Sequence, residues 1–261
     1  MAPELFARCV ANIDVAAVRN FHLFNYGEPL LHHDLPGIVE VLARSPLAIE
    51  CLEISTNAQF ARWDQIEEVL AMRVLDRFVV SCDGDGTPES YERLRPPGKW
   101  SKLIDFLRRL AELRAKYDPD LDLMTRTIIT SGAHRERWHE ILEPLGWHPE
   151  FRGWKILPDA LNQSGRRPVP GSGICRFVEI PGHHLYVNVD GTVIPCCVHP
   201  GAGNLGSLAT HTFREILVGP ERSAFVDTMR TNRSTMPACS VCEWGPGADP
   251  GPSEAPETLL D

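Results

Sequence analysis

Five cysteines in the last third of the chain, Cys175, Cys196, Cys197, Cys239 and Cys242, have the types and spacing of a metal centre. Fifteen residues separate Cys175 from Gly191, and four more separate Gly191 from Cys196 within Tyr186-Val-Asn-Val-Asp-Gly-Thr-Val-Ile-Pro-Cys-Cys197. Forty-one residues then precede Cys239-Ser-Val-Cys242. Two thiolates flanking a two-residue gap can grip one centre from a single turn, and two more can arrive from a distant hairpin. Four sulfurs of this kind satisfy either a structural zinc or an iron–sulfur cluster. A second set of polar groups lies far upstream, in Gly27-Glu28-Pro29, Ile54-Ser55-Thr56-Asn57 and Val80-Ser81-Cys82-Asp83-Gly84. A carboxylate at Glu28 suits a cationic ligand in a partly dry cleft. Taken singly, each of these segments reads equally well as a turn or a helix cap, which Ser, Thr, Asn and Asp all favour.

These groups need elements to hold them. Roughly the first 150 residues alternate short apolar runs with amphipathic segments. Strands are predicted over Asn20–Tyr26, Glu50–Thr56, Arg77–Cys82 and Leu123–Thr130, with a weaker fifth over Glu150–Ile156. The clearest helix has Ser101 as its N-cap and Leu103, Leu107, Leu110 and Leu113 on one face. Strand–helix alternation implies a parallel sheet, open or curled into a barrel, with ligands at the C-terminal strand ends. All three upstream polar segments fall at such ends. Gly, Pro, Ser and Arg crowd the stretch from Asn162 to Gly173, marking a boundary. Beyond it, His184–Val189 and Thr192–Ile194 are predicted to pair across an Asp190-Gly191 turn. Short helices near Thr212–Leu217 and Arg222–Met229 follow. The expected domains are therefore residues 1–162, 163–245 and a disordered tail over 246–261, rich in Pro, Gly and acidic residues.

Composition narrows the class. Apolar residues make up 43% and charged residues 23% of the chain, as in an ordinary globular protein. A net charge of −9 leaves no basic surplus for general nucleic-acid binding. No apolar run approaches the ~18 residues of a membrane span. The N-terminus lacks the basic and apolar regions of a signal peptide, so a cytoplasmic protein without membrane attachment is expected. Thiols stay reduced there, which favours metal ligation over disulfides. Cys9, Cys51 and Cys82 sit singly in apolar contexts and read as core. His32-His33 and His183-His184 read as surface. Arg126 interrupts an apolar strand, where it would hold an acidic group or form a buried ion pair.

The order Cys, long gap, hairpin Gly-x4-Cys, remote Cys-x2-Cys closely resembles the abbreviated SPASM, or twitch, domain of radical S-adenosylmethionine (SAM, AdoMet) enzymes. Gly203-Asn-Leu-Gly206 and Thr212-Phe-Arg-Glu-Ile-Leu217 resemble that family as well. The Gly-Glu-Pro, Ser-Thr-Asn and Ser-Cys-Asp segments, with Ser90-Tyr-Glu-Arg-Leu-Arg95 and Gly98, are similar to its SAM-binding strand ends. The resemblance implies a C-terminal auxiliary [4Fe–4S] cluster on Cys175, Cys196, Cys239 and Cys242, with Cys197 as the spare or the replacement for Cys196. It implies SAM contacts at Gly27, Glu28, Pro29, Ser55, Asn57 and Ser81. The family's defining Cys-x3-Cys-x2-Cys spacing, which holds a second [4Fe–4S] cluster, does not occur in these residues. The expected fold is accordingly α/β: a partial (β/α) radical SAM-type barrel missing its first strand, followed by a small cysteine-rich domain of hairpin and helices. On this reading Met1 opens what is normally the first barrel helix, the barrel has an exposed edge, and this polypeptide generates no radical unaided. The complete enzyme would cleave SAM and abstract a hydrogen atom from a small polar or peptide substrate, with flavodoxin or ferredoxin as reductant. No catalytic residue is singled out. The competing expectation is a non-catalytic cluster- or zinc-binding protein for peptide recognition or electron transfer.

Overall fold

A computed structural model describes residues 1–129, 131–153, 169–180 and 184–245. The chain separates into two compact units. One contains Ala17–Ala43 and Ile49–Trp154; the other contains Met1–Ala16, Arg44–Ala48 and the later part of the chain to Pro250.

In chain order the elements begin with α1 (Pro3–Ala11), β1 (Ala17–His22), a 3-10 turn (Pro29–Leu31), α2 (Leu35–Ala43) and β2 (Ala48–Thr56). There follow α3 (Trp63–Met72), β3 (Arg77–Ser81), α4 (Pro88–Leu94), α5 (Trp100–Tyr117), β4 (Asp122–Ile128), α6 (His134–Leu142) and β5 (His148–Arg152). The strands form one five-stranded sheet in the order β1-β2-β3-β4-β5. β2, β3, β4 and β5 pair in parallel, with Ile54 beside Phe78 and Phe78 beside Leu123. Strand order equal to chain order, each step crossed by helix, is the α/β arrangement the alternation predicts.

Register sorts the side chains by chemistry. Leu52, Ile54, Phe78, Val80 and Leu123 share one buried face, and Phe78 meets Phe106 of α5 with ring centroids 6.2 Å apart. Leu103, Leu107 and Leu110 are fully buried on the same helix. The opposite face carries Glu53, Ser55, Arg77, Ser81, Asp122, Arg126 and Glu150. That face holds the candidate site.

Several boundaries differ from expectation for local reasons. β1 ends at His22 rather than Tyr26. The Leu23 amide still donates to the Glu53 carbonyl at 2.9 Å, after which the chain turns toward Gly27. α5 begins at Trp100, with Lys99 rather than Ser101 at the N-cap. The amides there are capped from a distance: Lys99 N donates to Gln59 Oε1 at 2.7 Å and Trp100 N to Glu92 Oε1 at 3.2 Å. The expected strand around 150 starts earlier, at His148.

The other unit continues with α7 (Arg176–Glu179), β6 (Tyr186–Val187), β7 (Thr192–Ile194), β8 (Gly206–Ser207), α8 (Phe213–Val218) and α9 (Pro220–Asn232). The hairpin is shorter than predicted, and β8 adds an unforeseen third antiparallel strand, Val193 pairing with Gly206. Gly191 turns the hairpin at φ +86°, and a Cβ there would lie 3.3 Å from Cys9 Sγ. Thr212 and Glu215 form a reciprocal capping box on α8, the arrangement that fixes a short helix's start.

Residues 1–16, expected to open the barrel, belong to this unit instead. Cys9 joins a buried cluster with Phe177, Val193, Leu208, Phe213 and Phe225. Asn12 Nδ2 donates to the Leu208 carbonyl at 2.7 Å, and Phe213 N donates to the Asn12 carbonyl at 2.8 Å. An apolar helix stripe is buried wherever a matching surface exists, and here that surface lies some 200 residues downstream by the Asn12–Leu208 separation of 196. The boundary expected at residue 162 and the tail over 246–261 lie outside the described residues.

Candidate functional site

The four expected ligands converge. Cys175, Cys196, Cys239 and Cys242 line a single recess with Phe177, Val178, Pro195, Val198, Phe225, Met229, Arg233 and Trp244. Three separate parts of the chain supply the thiols: the start of α7, the segment after β7 and the loop after α9. Cys197 is exposed and does not line the recess. Among the described residues no group of three or more His, Cys, Asp or Glu side chains is arranged to hold a metal ion.

The thiols are poised unfavourably for deprotonation. Burial pushes Cys196 up to about 12, although the backbone N–H groups of Val198 and His199 oppose it. Burial pushes Cys239 up to about 11, with Arg233 opposing. Cys175 is raised for the same reason, partly offset by the Phe177 amide and Arg233. Buried thiols of this kind become ligands by losing their protons to an incoming metal.

Arg233 gave no sequence signal, because its partners are backbone carbonyls. Its Nε donates to Cys239 O at 3.0 Å and Nη1 to Gly173 O at 3.0 Å. Nη2 donates to Cys242 O at 3.3 Å and Trp244 O at 2.5 Å. One guanidinium thus fixes the loop bearing Cys239 and Cys242 against the chain entering Cys175. Gly171 N adds a bond to Cys242 O at 2.8 Å.

In the sheet unit, Glu28 sits where the 3-10 turn meets the end of β2. Its carboxylate accepts from Leu30 N at 3.1 Å, Thr56 Oγ1 at 2.6 Å and Asn57 N at 2.8 Å. It therefore caps the 3-10 turn and pins it to the end of β2, which sets the position of Gly27 and Pro29. Ser55 and Ser81 are half-buried on the polar face near the ends of β2 and β3, with Ser81 beside Arg126 in register. Asn57 Oδ1 accepts from Gln59 N at 2.9 Å. Asn25, just before Gly27, has both side-chain amide atoms buried without a hydrogen-bond partner. Its place inside the predicted first strand concealed it.

Below these groups runs a compensated charge network. Arg126 grips Glu53 with Nη1 and Nη2 at 2.5 and 2.9 Å, and His22 Nδ1 lies 3.1 Å from Glu53 Oε1. Arg77 is 3.7 Å from Glu53 and 2.8 Å from Asp122, while Glu150 is 3.4 Å from Arg126. Burial alone would raise the Glu53 carboxyl, but hydrogen bonds from His22 and Arg126 hold it at about 2. Of the two roles open to Arg126, the ion pair is the one observed. Cys82 and Cys9 are buried and Cys51 half-buried, and burial raises all three thiols.

This geometry agrees with what comparison finds. Residues 175–243 match the SPASM family, an iron–sulfur cluster-binding domain. The fold is shared with solved structures that hold AdoMet. BtrN in complex with AdoMet and 2-DOIA aligns at a TM-score of 0.52 and 17% identity, over 92% of this chain and 78% of its own. Native anSMEcpe with bound AdoMet aligns at 0.61 and 14% identity, over 93% and 79%. The same enzyme with AdoMet and the Kp18Cys peptide aligns at 0.60 and 15%, over 93% and 80%. No curated protein sequence matches the chain. The chain thus shares the α/β fold of those structures, and its residues 175–243 match an iron–sulfur cluster-binding domain. None of the helices among the described residues is long and apolar enough to cross a membrane.

Proposed function

We propose that this chain is the SAM- and auxiliary-cluster-binding part of a cytoplasmic radical SAM enzyme that abstracts a hydrogen atom from a small polar or peptide substrate. The observation that carries the reading is the convergence of Cys175, Cys196, Cys239 and Cys242 on one recess inside the SPASM-matching region. Four thiols lining a mainly apolar recess fit a [4Fe–4S] cluster, which supplies one-electron chemistry when bound. Arg233 holds two of those cysteines in place through their own carbonyls. The lining around the sulfurs is mainly apolar.

At the other site the chain's residues bind and orient. Gly27 and Pro29 are held beside the C-terminal end of β2 by the Glu28 bonds. Asn57, Ser55 and Ser81 offer an amide and two hydroxyls to the polar parts of SAM. The buried, unpartnered Asn25 amide supports a polar ligand here, since such a group costs ~1–3 kcal/mol until satisfied. SAM, when reduced, supplies the hydrogen-abstracting species. These 261 residues contain no Cys-x3-Cys-x2-Cys ligand set for its reduction, so this polypeptide by itself forms no 5′-deoxyadenosine from SAM and dithionite.

The neighbours' AdoMet, and the Kp18Cys peptide on anSMEcpe, support the cofactor and substrate classes. Flavodoxin or ferredoxin is the reductant in this reading. The second reading, a non-catalytic cluster-binding protein, is favoured by the missing ligand spacing alone. Anaerobic reconstitution tests the core of both. About four irons and four sulfides per chain are expected for one cluster. Zinc without sulfide overturns the cluster, and undetectable SAM binding to the reconstituted chain would leave the non-catalytic reading.

A further inference from the structure

Among the described residues, Arg233 is the one charged side chain lining the cysteine recess. It follows α9 in the short 3-10 turn Arg233–Thr235. A guanidinium has five N–H donors. Here Nε, Nη1 and Nη2 reach the carbonyls of Cys239, Gly173, Cys242 and Trp244. Among the described residues no carboxylate lies within ion-pair distance of it, whereas the sheet-unit arginines Arg77, Arg95 and Arg126 each have one. Its charge is spread over amide dipoles and not cancelled.

We propose that Arg233 is a positioning residue with an electrostatic role: it fixes the Cys239–Cys242 loop and raises the reduction potential of the cluster held there. The inference rests on the cluster reading above. A cluster gains one negative charge for each electron it accepts. An uncancelled cation beside a mostly apolar recess stabilises the reduced form more than the oxidised one. The direction follows from charge alone. A more positive potential suits a centre that receives an electron over one that delivers it to SAM.

The test compares wild-type chain, Arg233→Lys and Arg233→Gln after anaerobic reconstitution. Iron and sulfide are counted per chain, and the midpoint is read from the EPR of the reduced cluster, which reports only the loaded fraction. Arg233→Gln should lower the midpoint by at least tenfold in the reduction equilibrium, about 59 mV for one electron. Arg233→Lys keeps the charge but not the fork, so it should load less well while its loaded fraction stays within about threefold of wild type, under half of that shift. Equal midpoints in all three proteins overturn the electrostatic role even if loading falls. Complete loss of loading in both variants, with wild type loaded, reduces Arg233 to a fold determinant and also overturns it. Wild-type chain that takes up neither iron nor sulfide overturns this inference and the cluster reading together.

Discussion

The two units bury polar chemistry in opposite ways. On the sheet, Glu53 is 1% exposed yet fully ionised, because Arg126, Arg77 and His22 surround it. In the cysteine unit, burial drives the thiols away from ionisation, and among the described residues Arg233 is the one charge that lines the recess with them. The first arrangement is complete without a ligand; the second is chemically unfinished. A compensated network is part of what folds, whereas a set of buried thiols is stabilised only when a metal replaces their protons. The floor of the sheet site is thus preformed, and metal uptake by the cysteine unit should be coupled to its stability.

The sharpest break in that comparison is to remove ligands. A Cys239→Ala/Cys242→Ala chain should fall from about four irons and four sulfides to nearly none after reconstitution. In the wild type, chelation should lower the melting temperature of the cysteine unit and leave the sheet unit's unchanged, as two calorimetric transitions would show. A single transition that shifts as one would erase the distinction between the units.

Next in size is the network. Glu53→Ala removes one side of a buried pair and should cost ~3–5 kcal/mol, measured by urea unfolding. The pH dependence has a definite sign. The Glu53 carboxyl is depressed from 4.5 to about 2, so its contribution is present above the ordinary carboxylate range and lost as pH falls from about 4.5 toward 2. At 1.36 kcal/mol per unit the loss is ~3 kcal/mol. Glu53→Gln should flatten the stability profile across that acid window. A Gln variant with the wild-type slope would mean the network contributes little.

These contrasts explain what the sequence made legible. β3 and β4 were readable because their apolar faces are deeply buried, and the cysteine set was readable because ligand spacing is a local covalent pattern. β1 was misjudged in extent because it is a sheet edge, with residues such as Arg19 and Asn20 exposed. The start of α5 was misplaced because Gln59 and Glu92, far away in sequence, cap it. The stripe of α1 signals burial but not against what, and its destination depends on Leu208 and Phe213. Arg233 acts through backbone carbonyls, which every residue possesses, so no residue pattern announces it.

A smaller effect separates orientation from direct contact at the strand ends. Glu28→Gln keeps one carbonyl acceptor for the Leu30, Thr56 and Asn57 donors but loses the charge that strengthens them. The expected stability loss is ~1–2 kcal/mol. SAM affinity should fall, as read by equilibrium dialysis with the reconstituted chain. Unchanged affinity with lowered stability would make Glu28 a brace for the turn and nothing more.

The smallest expected effect decides between adjacent cysteines. Cys196 lines the recess, half-buried, while Cys197 is exposed and outside it. Side chains of consecutive residues diverge, so one turn cannot deliver both sulfurs to the same centre without rebuilding the segment after β7. Cys197→Ser should therefore change stability by less than ~0.5 kcal/mol, as at other surface positions, and leave iron and sulfide per chain unchanged. Cys196→Ser should lose the cluster or hold it through a weaker oxygen ligand with an altered EPR signal. If Cys197→Ser depletes iron and Cys196→Ser does not, the ligand is the exposed thiol. The recess would then have to open toward it, making the cysteine unit less preorganised than its buried core suggests.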